Sequence, residues 1–389
     1  MRLLPLLPPP RAGALFLGWL PMLLSAAPYR PTDEAMVLER LPAGAVSGRL
    51  NAATATATAT DAATAVVLAR AWIARARQDA DPRFLGYAEG ALAPWWDAAD
   101  APIEIALLRA TLLQSRHRFD DALAGIDELL RRAPGNAQAV LTQATILRVQ
   151  GRFEESASAC ERLASIAPGV PAQVCAASVS GLRGQLGVAA DDLARILPSA
   201  TAQPAPIQLW YFAERADLAV RAGQPEQALQ LYRMALQQTG GDAGLRAAIA
   251  DILLDLGRPD EVAATVGEDA NSELLLLRVA IAARDLGTPR PELEARLADA
   301  YAAARRRGDS PHLREEARFA LEIQFDSIRA LALAQENWKQ QREPADALIL
   351  AQAAVAAKRP AAIGALLQWL QATSSQDARI DAVLAQVRS

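Results

Sequence analysis

The stretch GRFEESASACERLASIAPG, from Gly151 to Gly169, decides the fold because it repeats an earlier one. HRFDDALAGIDELLRRAPG, from His117 to Gly135, aligns with it residue for residue at a distance of 34 positions. Both read Arg-Phe, two acidic residues, an apolar helical face and then Ala-Pro-Gly. A fixed period of this length, with a turn residue before an amphipathic helix and a proline after it, predicts stacked helix–turn–helix units.

Four units carry these landmarks. They occupy residues 103–136, 137–170, 209–242 and 243 onward. Gly223 and Gly257 repeat the 34-residue spacing in the last two. Residues 171–200 between the two pairs read as a degenerate helix pair, and further helical segments over 312–341, 344–357 and 360–371 are expected towards the C-terminus.

This pattern of small, turn and stop residues resembles the tetratricopeptide repeat family. The resemblance implies an all-α, right-handed α-solenoid whose first helices line a concave surface, where such proteins bind peptides or other proteins. We expect a repeat array over residues 65–269, followed by degenerate repeat-like helical pairs and a C-terminal cap over 270–389. The phrases DPRFLGYAEGALAPWW and ENWKQQREPADA resemble segments of exported bacterial members without an assigned biochemical role.

The composition agrees with an all-helical protein. Hydrophobic residues make up 52% of the 389 residues but aromatic residues only 5%, and much of the apolar share is alanine, the best helix former. The formal net charge is −4, and no basic stripe with interleaved aromatic residues occurs, so nucleic acid is excluded as the expected partner.

The N-terminal residues 1–27 predict a signal peptide, with an uncleaved N-terminal anchor as the alternative. Ala12–Leu24 forms an apolar core of signal-peptide length between basic residues and the small residues of Ser25–Ala27, although Pro28 disfavours cleavage directly before it. Residues 28–64 follow as a low-complexity linker with alternating alanine and threonine. The leader predicts export, most simply to the periplasm, or an inner-membrane anchor facing it.

No catalytic motif, metal site or cofactor is expected. The nucleophile elbow, the phosphate loop and the dinucleotide glycine fingerprint are all missing from the sequence. His117 stands at a turn and His312 in the first turn of a helix, and the spacing of Cys160 and Cys175 fits no short metal motif. The acidic pairs recur at the start of second helices, where they suit the helix dipole.

The two cysteines leave two interpretations open. Cys160 lies on a second helix and Cys175 near the start of the next first helix, and consecutive helices of an array touch. In an oxidising compartment they would form a disulfide; otherwise they are buried free cysteines that act as small hydrophobic residues.

The resemblance also implies which residues face a partner, because the first helix of each unit lines the binding surface. The exposed polar candidates are Gln114, Arg148, Trp210, Asp217, Arg221, Asp251 and Asp255. The leading hypothesis is therefore a non-catalytic scaffold or assembly factor of the bacterial cell envelope that binds a protein or peptide. The alternatives are a helical accessory subunit of an envelope enzyme and a self-associating structural component.

Overall fold

The computed structural model describes residues 61–239, 242–267, 270–307 and 313–388. These residues form twenty α-helices and no strand. The expected signal peptide, residues 28–60 of the expected linker and His312 lie outside the described residues. The first helix begins at Ala62, so the last three residues of the expected linker are helical.

The helices follow one another as antiparallel pairs, which confirms the all-α solenoid. The first pairs are α1 (Ala62–Asp79) with α2 (Arg83–Leu92), α3 (Ile103–Ser115) with α4 (Phe119–Arg132), α5 (Ala137–Val149) with α6 (Phe153–Ile166), and α7 (Val170–Leu182) with α8 (Leu186–Arg195). The short α9 (Leu197–Thr201) precedes the pair α10 (Ala205–Arg221) and α11 (Pro225–Thr239).

The later helices are shorter or more irregular. They are α12 (Ala243–Asp255), α13 (Val262–Val266), α14 (Glu273–Asp285), α15 (Pro291–Arg307), α16 (Leu313–Arg318), α17 (Ser327–Gln340), α18 (Pro344–Ala356), α19 (Gly364–Thr373) and α20 (Ala378–Arg388). Within these described segments, no helix combines the length and apolar character needed to cross a membrane.

The turn inside each pair explains the repeated sequence. His117 and Gly151 have φ values of 57° and 73°, a left-handed backbone that glycine adopts freely and histidine tolerates. Phe119 and Phe153 then open the second helices and are buried. Ser156 replaces the usual alanine at the close approach, and its hydroxyl donates a hydrogen bond to the Ala144 carbonyl at 2.7 Å, which satisfies the buried oxygen.

The helical segment expected over 312–341 is interrupted. A π turn over Phe319–Ile323 ends the first part, and Phe325 has a left-handed φ of 54°. Asp326 then starts α17, because its carboxylate accepts a hydrogen bond from the backbone N–H of Arg329 at 3.0 Å. The π turn and the new N-cap at Asp326 therefore divide this segment into two helices.

The array closes on itself. α1 packs against α12, although four helical pairs separate them along the chain. The largest apolar core joins α3–α7 to α16–α20, and Trp338 and Trp369 are buried in it with ring centroids 5.2 Å apart. The C-terminal helices are therefore part of the same core as the repeats.

Candidate binding surface

Several first helices of successive units touch one another and form a surface. α3 packs against α5, α5 against α7, α7 against α10, and α12 against α14. We call this surface the A-helix wall, and define it by the helices α3, α5, α7, α10, α12 and α14. All seven sequence-predicted binding residues belong to these helices.

Two of these residues meet at Glu214, which the sequence interpretation did not identify. Arg148 donates from Nη1 to Glu214 Oε1 at 2.7 Å and to Ser178 Oγ at 2.7 Å. Trp210 donates from Nε1 to Glu214 Oε1 at 2.9 Å, and Ser178 donates to Glu214 Oε2 at 2.8 Å. These contacts link α5, α7 and α10 through a single carboxylate.

The pKa shifts in this cluster favour the charged forms of Arg148 and Glu214. The Glu214 carboxylate raises the pKa of Arg148 well above its usual value. Burial alone would raise the pKa of Glu214, but Arg148, Ser178 and Trp210 outweigh it, so the net pKa is lowered. Both groups are therefore charged at neutral pH, and the cluster fixes the relative position of three first helices.

Arg221 differs from its sequence expectation, because it is buried rather than exposed. Its side chain is only 1% exposed, whereas that of Asp217, its partner at 3.0 Å, is 40% exposed. Nη1 of Arg221 also donates to the Gly181 carbonyl at 3.1 Å. A β-carbon on Gly181 would lie 2.9 Å from Nη2 of Arg221, so this glycine leaves the space into which the guanidinium folds. Arg221 holds α10 against α7.

Asp251 lies between two arginines. Arg278 binds it through two hydrogen bonds, Nε to Oδ1 at 3.0 Å and Nη2 to Oδ2 at 2.8 Å, and Arg318 donates to Oδ1 at 2.7 Å. Burial would raise the pKa of Asp251, but Arg278 and Arg318 hold it well below its usual value. Arg278 also pairs with the buried Glu315, so this network connects α12, α14 and α16.

Four aspartates lie on helices of the A-helix wall, and they differ in their partners. Asp217, Asp251 and Asp285 recur at intervals of 34 residues, and Asp255 lies one turn beyond Asp251. We call these four residues the aspartate series. Asp255 and Asp285 are exposed and form no hydrogen bond or salt bridge within the described parts of the chain.

Desolvation affects three members of the series. It raises the pKa of Asp217, while Arg221 lowers that pKa and Glu214 raises it. It also raises the pKa of Asp255, where Arg379 lowers and Asp251 raises it, and the pKa of Asp285. Burial is the largest cause of the raised pKa in all three, and cations of the chain offset only part of it for Asp217 and Asp255.

Gln114 stands apart from the other candidates. It is half-buried in the last turn of α3, and its carbonyl accepts a hydrogen bond from the His117 N–H at 2.9 Å. Its side chain makes no hydrogen bond to another of the seven candidates among the described residues.

The C-terminal helices run along the turns that connect the first and second helices. The Nε2 amide of Gln341 lies 2.6 Å from Nδ1 of His117, and the Arg342 N–H donates to the Val149 carbonyl at 2.8 Å. The rings of Trp369 and Phe153 lie 5.6 Å apart.

The C-terminal part of the chain also passes the turns of two further helix pairs. β-carbons built on Gly184 and Gly223 would come close to Ser374 and Ala378 respectively. The sequence signal for this course lay in ENWKQQREPADA, which supplies Gln341 and Arg342, but periodicity alone did not reveal its contact.

The two cysteines are joined in the structure. The S–S distance is 1.99 Å, and the link connects α6 to α7. Among the described residues, no group of three or more His, Cys, Asp or Glu side chains is arranged to hold a metal ion.

Comparison with protein families identifies the repeats directly. Profiles described as tetratricopeptide repeat match residues 107–171 and 219–272. The chain contains tetratricopeptide repeats. This confirms the resemblance on which the first-helix surface was assigned. A search of curated proteins found no matching sequence.

One solved structure supports the helical fold of the chain, and two further structures are similar over part of it. The Cut9–Hcn1 hetero-tetramer of the APC/C has a chain that matches with a TM-score of 0.51 at 15% identity, over 84% of this chain and 63% of that one. A tetratricopeptide repeat protein of Thermus thermophilus matches at 20% identity over 49% of this chain and 98% of its own, with a TM-score of 0.39.

A tetratricopeptide repeat protein of Parabacteroides merdae also matches, at 13% identity over 73% of this chain and 98% of its own, with a TM-score of 0.36. The repeats support a protein–protein interaction scaffold in general, and this fold is generally non-catalytic.

Proposed function

We propose that the protein is a non-catalytic interaction scaffold or assembly factor of the bacterial cell envelope, which binds a protein or peptide on the A-helix wall. Export rests on the leader over residues 1–27, with its apolar core and small residues before Pro28.

The two exposed members of the aspartate series, Asp255 and Asp285, carry the proposal. Repeat proteins present equivalent positions of successive units on one extended surface. Asp217, Asp251 and Asp285 are such positions, and Asp255 and Asp285 are exposed without a cation bound to them in the described residues. A surface of this kind favours a partner that carries positive charge, because opposite charges steer association and fix the register of binding.

The remaining candidates have a supporting role in this proposal. Arg148, Trp210 and Arg221 make their contacts within the chain, so they keep the first helices in register and thereby shape the surface. A variant of Arg221 would disturb folding and binding together, and the exposed aspartates are therefore the better positions for a test.

The test is affinity capture of tagged full-length protein from its native cells, followed by mass spectrometry. We expect a captured protein that is lost when Asp255 and Asp285 are both replaced by lysine. The matched control replaces Glu161 and Asp191 by lysine, because both are exposed on second helices and the charge change is the same. Equal capture by the two double variants would reject the A-helix wall as the binding surface.

Localisation needs its own measurement. Fractionation of the same cells, with immunodetection of the tag, should find a shortened product in the periplasm. A full-length product in the cytosol would contradict export.

A further inference from the structure

The last helix, α20, contacts the A-helix wall at α10. It packs against α10 and α18. A β-carbon built on Gly223, at the turn after α10, would lie 3.2 Å from the β-carbon of Ala378. The chain thus places a helix of its own beside Asp217, on the surface to which a partner is assigned above.

α20 belongs to the largest apolar core but buries fewer apolar residues than its neighbour α18. In the described part of α20 the buried apolar side chains are Ile380 and Leu384, one helical turn apart. α18 instead buries six apolar residues, including Ile349 and Leu350. Elements with few buried contacts open locally before the rest of a structure unfolds.

The connection to α20 is also suited to opening. Residues 374–377 are not helical, and Ser374 has a left-handed φ of 54°. Asp377 caps α20 by accepting a hydrogen bond from the Arg379 N–H at 2.9 Å, and its carboxylate also binds the guanidinium at 2.7 Å. The helix therefore carries its own cap and arginine clamp, and it keeps both when it moves as a unit.

We propose that α20 is an internal ligand of the A-helix wall, and that an amphipathic partner helix with an arginine followed by two apolar residues four positions apart displaces it. This inference rests on the proposed function and specifies the partner chemistry of the same surface. Arg379, Ile380 and Leu384 supply that pattern within the chain. Burial raises the pKa of both Asp217 and Asp255, and the positive charge of Arg379 on α20 offsets part of that rise.

The experiment uses full-length protein and a fluorescein-labelled synthetic peptide, DARIDAVLAQVRS, which reproduces residues 377–389. Fluorescence anisotropy measures its binding to the wild type and to Leu384→Asp, in which the tethered helix is released. Because the tethered helix competes at a high effective concentration, we expect the variant to bind at least about tenfold more tightly than the wild type. A peptide carrying Arg379→Glu should lose about tenfold in affinity for the variant.

Two comparisons make the result decisive. Asp217→Asn with Asp255→Asn, added to Leu384→Asp, should weaken peptide binding, whereas Glu161→Lys with Asp191→Lys in the same background should leave it unchanged. Absence of peptide binding to a Leu384→Asp protein with wild-type helicity would overturn the proposal, as would binding that is indifferent to Arg379.

Hydrogen exchange of the wild-type protein covers the case in which Leu384→Asp does not fold. We expect the amides of α20 to exchange at least about tenfold faster than those of α18. Exchange of both helices as one unit would also overturn the proposal. The proposed function is tested separately, because its test is the capture of a cellular partner rather than the binding of this peptide.

Discussion

Replacing Arg278 by methionine should destabilise the protein strongly, because this arginine holds two carboxylates at the centre of the later units. Its side chain is 5% exposed, binds Asp251 bidentately and pairs with the buried Glu315. Removing one partner of a buried ion pair costs about 3–5 kcal/mol. Arg318 stays on Asp251 at 2.7 Å, so we expect the lower end, about 3 kcal/mol.

The assay is urea unfolding at pH 7 without reductant, followed by circular dichroism at 222 nm. With an m value of about 3 kcal/mol/M, a loss of about 3 kcal/mol lowers the midpoint by about 1 M. The matched control is Arg131→Met, because Arg131 is 74% exposed and its pair with Glu128 lies on the surface. It should cost less than about 0.5 kcal/mol. A midpoint for Arg278→Met within error of this control would refute the account of the buried network.

The remaining predictions concern the turns, the acid limit of stability and the cysteines. Gly257→Ala should lower the free energy of unfolding by about 1 kcal/mol, because alanine is strained in its left-handed backbone, and a β-carbon there meets nothing within 4 Å. Gly151→Ala should lower the urea midpoint further, because its β-carbon would also lie 2.9 Å from atoms of Arg342 and Trp369. Equal midpoints would argue against that packing. The depressed pKa of Asp251 means that its contribution is complete above its unfolded pKa and is lost as the pH falls towards the folded one. The urea midpoint of the wild type should therefore drop between pH 5 and pH 3 by more than that of Asp251→Asn, and parallel pH profiles would contradict this. Replacing Cys160 and Cys175 by serine should cost about 3 kcal/mol if mature protein contains the link, which non-reducing peptide mass spectrometry detects; two alkylatable thiols would exclude it.

Much of the fold follows from local sequence. The 34-residue spacing predicts the turns at Gly151 and Gly223, and each has the expected left-handed backbone. Phe153 is buried at the start of its helix, as the repeat requires. These features depend on residues within one unit and its neighbour, which periodicity reports directly. The break at Phe325 escaped prediction because the helical pattern continues through it.

The contacts within the A-helix wall were harder to predict from the sequence. Burial of Arg221 depends on the missing side chain of Gly181, 40 positions away. The convergence of Arg148 and Trp210 on Glu214 joins residues of three helices, and the course of the C-terminal helices brings Gln341 to His117. Such pairs are set by the curvature of the array, which no period in the sequence encodes.

The most direct measurement for the central claim is site-specific photo-crosslinking in native cells. A photoreactive residue is placed at Asp255 on the A-helix wall, or at Asp191 on a second helix, in otherwise full-length protein. The account predicts a discrete crosslinked partner from position 255 that is missing from position 191. Adducts that are the same at both positions, or that form only at 191, would contradict a scaffold that binds through its A-helix wall.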